Sequence, residues 1–85
     1  MNNMNHYTIS KNADSKIFKH VLSLIFSEFK EVKIGKYAED FDGSQIQLLL
    51  LPNGKIFVYN HYEVDAVYIE SEINLDEFIK KHFEE

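Results

Sequence analysis

Along this chain the apolar residues change spacing several times, and the changes mark out its elements. From Asp14 to Lys30 the positions Phe18, Val21, Leu22, Ile25, Phe26 and Phe29 recur at three- and four-residue steps, which lines one face of a helix. Asp14 or Ser15 is placed to cap it, because either side chain can accept from the free N–H groups of the first turn. Val32, Ile34 and Tyr37 predict a short strand over 32–38, and Glu39 to Ser44 a loop. Gln45 to Leu51 alternates at first and then turns apolar at both parities, the pattern of a central strand covered on each side. Pro52-Asn53-Gly54 ends it, and Asn-Gly between two β runs predicts a type I′ hairpin turn. Lys55 to Tyr59 returns, Asn60-His61 offers a weaker turn, and Tyr62 to Glu70 completes a meander. Asn74-Leu75-Asp76-Glu77 resembles a capping box ahead of the stripe Leu75, Phe78, Ile79 and Phe83 of a C-terminal helix, with Lys80 and Lys81 near its end. Within the polar first thirteen residues, His6 to Ser10 has enough β character for an edge strand.

These elements predict an α+β fold in which a three- or four-stranded antiparallel sheet lies between an N-terminal and a C-terminal helix, with the N-terminal edge strand as an addition. The expected organisation is one domain over 14–85, preceded over 1–13 by an arm or edge strand. Both helices are expected on one sheet face. The strands, however, carry large residues at both parities: Ile56 and Val58 against Phe57 and Tyr59, then Val67 and Ile69 against Val64, Ala66 and Tyr68. Two short helices cover one face. The other stays apolar and needs a partner, a self-contact, or the N-terminal segment folded across it.

Composition narrows the function classes. A chain of 85 residues holds one small domain, and 45% apolar with 27% charged residues is an ordinary globular balance. Cysteine is absent, so there is no disulfide or thiolate metal site, and a reducing, cytoplasmic location is the expectation. The longest apolar run, Leu48 to Leu51, is far short of the roughly 20 residues that span a bilayer, and no signal peptide is expected. All nine cations are lysine, against fourteen Asp and Glu, for a net charge of −5. An acidic chain without arginine is poorly suited to gripping nucleic acid directly. Its element order is shared with double-stranded RNA-binding domains, yet that family places a lysine-rich cluster where this chain reads Asn74-Leu75-Asp76-Glu77. Charge is also segregated: residues 1–38 hold six lysines against three acids, whereas 39–85 hold three lysines against eleven. A negative half of this kind steers association with basic partners.

Few residues suggest chemistry. His6, His20, His61 and His82 fall in four different elements with no His-x-x-x-His pair, and His61 is the best placed, among Tyr59, Tyr62 and Glu63. The loop Asp40-Phe41-Asp42-Gly43-Ser44 has the alternating acids of a calcium loop, but its first and twelfth ligand positions would be Ala38 and Leu49, so it reads as a turn. Neither a nucleophile elbow nor a glycine-rich phosphate cradle is present, and the expectation is no enzyme, no cofactor and no metal. The remaining signal is the segment Phe57 to Glu70, which joins three tyrosines to three carboxylates in one hairpin. Tyrosines supply contact area at low entropy cost, and desolvated carboxylates pair strongly with lysine or arginine. The expected partner-binding set is therefore Tyr59, His61, Tyr62, Glu63, Asp65, Tyr68 and Glu70, extended by Asp40 and Asp42. The function expected from this is a small acidic inhibitor of a basic protein. By analogy of class rather than of sequence, it is a bacterial immunity protein blocking the basic cleft of a nuclease toxin from a contact-dependent inhibition or colicin-like system, since such proteins tend to be short, acidic and cofactor-free. The alternatives are a phage-encoded antagonist of a host nucleic-acid-binding complex and a homodimeric structural or regulatory domain.

Overall fold

A computed structural model of the protein describes residues 4–83; positions 1–3 of the expected arm and 84–85 of the expected domain lie outside the described residues. The fold is α+β, with two helices and an antiparallel sheet of five strands, against the three or four expected with an N-terminal edge strand as an addition. In chain order the elements are β1 (Asn5–Ser10), α1 (Ser15–Glu28), β2 (Lys33–Glu39), β3 (Gln45–Leu51), β4 (Gly54–His61), β5 (Ala66–Ser71) and α2 (Asp76–Phe83). The sheet order is β1-β5-β4-β3-β2, so strands β2 to β5 form a meander and β1 closes on β5 as an edge.

Local chemistry accounts for the element ends. The Asp14 carboxylate accepts from the backbone N–H groups of Lys16 at 2.8 Å and Ile17 at 3.3 Å, which caps α1. Asn74 does the same for α2, accepting from Asp76 N at 2.8 Å. The β3–β4 hairpin pairs Leu51 with Gly54, so its two central residues are Pro52 and Asn53. Proline's fixed negative φ rules out the expected type I′ turn there. Gly54 is needed for space instead, since a Cβ on it would come within 2.8 Å of Ile73 Cγ2.

The strands alternate between a covered and an open face. Leu49, Ile56, Val58, Val67 and Ile69 point to the helices and are buried with Phe18, Val21 and Ile25 of α1 and Phe78 of α2. Phe29 and Phe78 pack at 5.8 Å between ring centroids, and Lys81 Nζ meets Glu28 at 3.1 Å, so both helices lie on this one side. Phe26, expected in the core, points partly to solvent. Strand β3 is not covered on each side: Leu49 is 0% exposed, but its neighbour Leu50 is 36% and Ile46 is 37% exposed. The N-terminal segment leaves that second face open because its backbone is engaged in pairing with β5, Tyr7 against Ile69 and His6 against Glu70.

Two expected boundaries shift for one reason. Asn60-His61 is not a turn, and the last strand does not begin at Tyr62. Asn60 lies wholly buried in β4, where its Oδ1 accepts from Asp14 N at 2.9 Å and its Nδ2 donates to Gln45 Oε1 at 2.9 Å. This side chain ties the start of α1 to β3 and β4, and the turn moves to Tyr62–Asp65, with Asp65 at φ 55 and its N–H donating to Tyr62 O. Removing one member of a buried hydrogen-bonded set costs about 1–3 kcal/mol per orphaned group. Asn60→Ala is therefore expected to lose about 3 kcal/mol in urea unfolding with an unchanged m-value, against about 1 kcal/mol for Ile56→Val, which deletes one core methyl.

Candidate protein-binding face and acidic tip

The partner-binding residues expected from sequence separate into two adjoining surfaces and one structural outlier. The first surface is the open sheet face. Here Tyr59 of β4 and Tyr68 of β5 sit opposite each other and stack, with ring centroids 4.6 Å apart. His6 of β1 stacks on the outer side of Tyr68 at 5.0 Å, and its Nδ1 lies 3.3 Å from the Glu70 carboxylate. His61 Nδ1 is 3.0 Å from the Tyr68 hydroxyl. Desolvation beside its neighbours raises the Tyr59 phenol above the usual tyrosine range, and the negative charge of Glu70 adds to this. The same cause, with Tyr59 and Glu70 following, raises Tyr68. Both rings therefore remain neutral at ordinary pH and present an amphipathic platform.

The second surface is the tip of the sheet, where the β2–β3 loop meets the β4–β5 turn. Asp40, Phe41, Asp42, Tyr62 and Glu63 line one hollow there, which contains no lysine. The loop is built as a turn, with Gly43 N donating to Asp40 O at 3.0 Å and Gly43 itself at φ 88, which suits glycine. Asp42 accepts from Ser44 N at 2.9 Å, while the Ser44 hydroxyl accepts from Tyr62 N at 2.9 Å, so serine buckles loop to turn. These backbone and hydroxyl contacts hold the Asp42 carboxyl below its usual range, and it stays ionised. Phe41 is fully exposed and Tyr62 is 43% exposed. A smaller hollow lined by Ala38, Asp40, Ile46, Tyr59 and His61 joins the tip to the sheet face.

Asp65 is the outlier. Its carboxylate accepts from Ala13 N at 2.7 Å and from Asn12 Nδ2 at 3.2 Å, so it fixes the β1–α1 connection and is not free to meet a partner. The residues that sequence reasoning missed are His6, Ile46, Leu48, Phe57 and Phe41. The first four join the site only through strand pairing, although the parity of Phe57 pointed to it. Phe41 sat inside a loop read only for its acids. Among the described residues no group of three His, Cys, Asp or Glu could hold a metal ion, and no helix is long and apolar enough to cross a membrane.

The chain matches no protein-family model, no curated protein and no solved structure, so its function is argued from this geometry alone.

Two outcomes follow from the sorting of the carboxylates. Asp65→Ala is expected to lower stability by about 1–2 kcal/mol through the lost acceptor, and Asp65→Asn to recover most of it, as read by thermal unfolding. Asp42 has its folded pKa below the unfolded value, so its contribution is complete above the unfolded pKa of about 4 and is lost as pH falls through the lower folded value. Carbon-detected NMR should show its carboxyl titrating below 3.8, with the Ser44 and Tyr62 amide shifts following it.

Proposed function

We propose that the protein is a small, non-catalytic inhibitor that binds a basic protein. Within that class we propose a bacterial, cytoplasmic immunity protein that covers the cationic cleft of a nuclease toxin. The observation that carries this reading is the tip, where three carboxylates and two exposed aromatic rings converge around a hollow with no lysine. Exposed aromatics on well-fixed loops act as anchors at protein interfaces, and carboxylates between them pair with lysine or arginine once water is excluded. Serine 44 holds both loops together, so little ordering cost is added on binding. Tyr59 and His61 extend the same surface toward the sheet face. The segregated charge supports fast, salt-sensitive association with such a target.

The test begins with affinity capture of the partner from cells carrying the native locus, followed by calorimetry on the purified pair. Phe41→Ala and the double variant Asp42→Asn/Glu63→Gln are each expected to weaken binding about 100-fold, the scale of an interface anchor. Raising NaCl from 50 to 500 mM should slow association about tenfold and change dissociation far less. Unchanged affinity in both variants would remove the tip from the interface and the reading with it.

A further inference from the structure

We infer that the open sheet face is a self-complementary surface at which two copies of this chain pack face to face, with their strands running in reversed end-to-end register. It rests on the sheet face and not on the proposed function, although Asp40 and Tyr59 border both surfaces. The strand register places the outward residues in rows across the sheet. Lys33, Leu50 and Lys55 are opposite one another at one end. Leu48, Phe57, Glu70 and His6 form the next row, and Ala38, Ile46, Tyr59, Tyr68 and Thr8 the one after. Beyond them lie His61 and the acids of the tip. The face thus carries Lys33 and Lys55 beside a single acid, Glu72, at one end, mainly apolar and aromatic residues with Glu70 and His6 among them in the middle, and the acids of the tip at the other.

A second copy is the occupant this layout fits. A two-fold axis lying across the strands, between the Phe57 and Tyr59 rows, sets each apolar row over the other. It also brings the Lys33 and Lys55 end of one copy over the partner's Asp40 end. An axis along the strands would stack lysine on lysine and acid on acid, which costs free energy. The favoured arrangement is isologous and closed, and it is the aligned packing that twisted sheets adopt in sandwiches. The exposed side chains Ile46 and Leu50 then leave water, as the half-exposed Leu48 and Phe57 do. Five strands about 4.8 Å apart and some six residues along each give a flat footprint of about 400 Å² per copy. That lies at the small end of interface sizes, so the dimer is expected to dissociate on the order of 10 µM.

Sedimentation velocity on the full chain tests this without any other partner. Between about 2 and 200 µM, a range bracketing that affinity, the weight-average mass should rise from the 10.0 kDa monomer toward twice that value. Ile46→Lys and Phe57→Lys should hold the chain monomeric throughout, with the far-UV spectrum and urea midpoint retained. Lys33→Glu should weaken the dimer about tenfold at low salt through loss of the end-to-end charge match, and Phe41→Ala should leave it unchanged. A monomer at the highest concentration, or a dimer indifferent to Phe57→Lys, overturns the proposal and leaves the face to a different partner. Loss of the dimer in Phe57→Lys with no effect of Lys33→Glu overturns the reversed register. None of these outcomes depends on toxin binding at the tip, so the two readings stand or fall separately.

Discussion

The structure depends on one-sided coverage. A five-stranded sheet offers two faces, and helices of fourteen and eight residues can bury only one of them. Every apolar residue of matching parity therefore goes either into the fully buried cluster around Val58 and Ile69 or onto a surface that water reaches. The register is pinned by that core, because a one-residue slip in β4 would exchange Val58 for Phe57 and turn the buried face out. The same constraint that secures the fold therefore creates the apolar face. The edges are treated differently. Strand β2 is exposed along nearly its whole length, but it carries Lys33 and Lys36 and a register shift between Ile34 and Tyr37, both of which discourage another strand from pairing there. The Gln47 amide donates to Gly35 O at 3.1 Å and fills the gap the shift leaves.

Much of the fold was legible because it was written in periodicity. The two helices, their capping residues and the parity of β3 and β4 follow from spacings of three to four and of two. The misplaced turn at Asn60 and the uncertain first strand both come down to long-range hydrogen bonds that spacing cannot report. Asn60 looked like a turn residue because asparagine usually is one, yet its contacts with Asp14 and Gln45 are 46 and 15 residues away in the chain. Residues His6 to Ser10 were a weak strand on propensity, and pairing with β5 decides the matter: Asn5 Nδ2 donates to Ser71 O and Ile73 O, while the Tyr7 hydroxyl donates to Asp76 and accepts from Leu75 N. Those contacts dock β1 against the start of α2, and no local pattern encodes them.

The candidate site was legible in composition and not in geometry. Grouping Tyr59, Tyr68 and Glu70 with His61 was right as a statement of proximity, because neighbouring strands of one hairpin must bring them together. His6 could join them only once β1 had a place in the sheet. Asp40 and Asp42 came near Tyr62 and Glu63 because antiparallel order puts the β2–β3 loop and the β4–β5 turn at the same end, which the meander alone implies.

The charge excess of the second half also means something narrower than a uniform field. Four of its eleven acids serve contacts with distant parts of the chain, outside the hollow at the tip. Asp65 holds the β1–α1 connection, Glu72 accepts from Lys55 N at 2.8 Å, Asp76 accepts from Tyr7, and Glu70 lies beside His6. These contacts fix where the charges sit without cancelling them, since apart from His6 the donors are neutral. At the tip Asp40 and Asp42 likewise accept from backbone amides and Glu63 is largely solvated at 3.9 Å from His61, but here three carboxylates line one hollow with no lysine. Negative potential therefore concentrates where Phe41 and Tyr62 project, and that coincidence of free charge with exposed aromatic surface separates a recognition surface from an acidic composition.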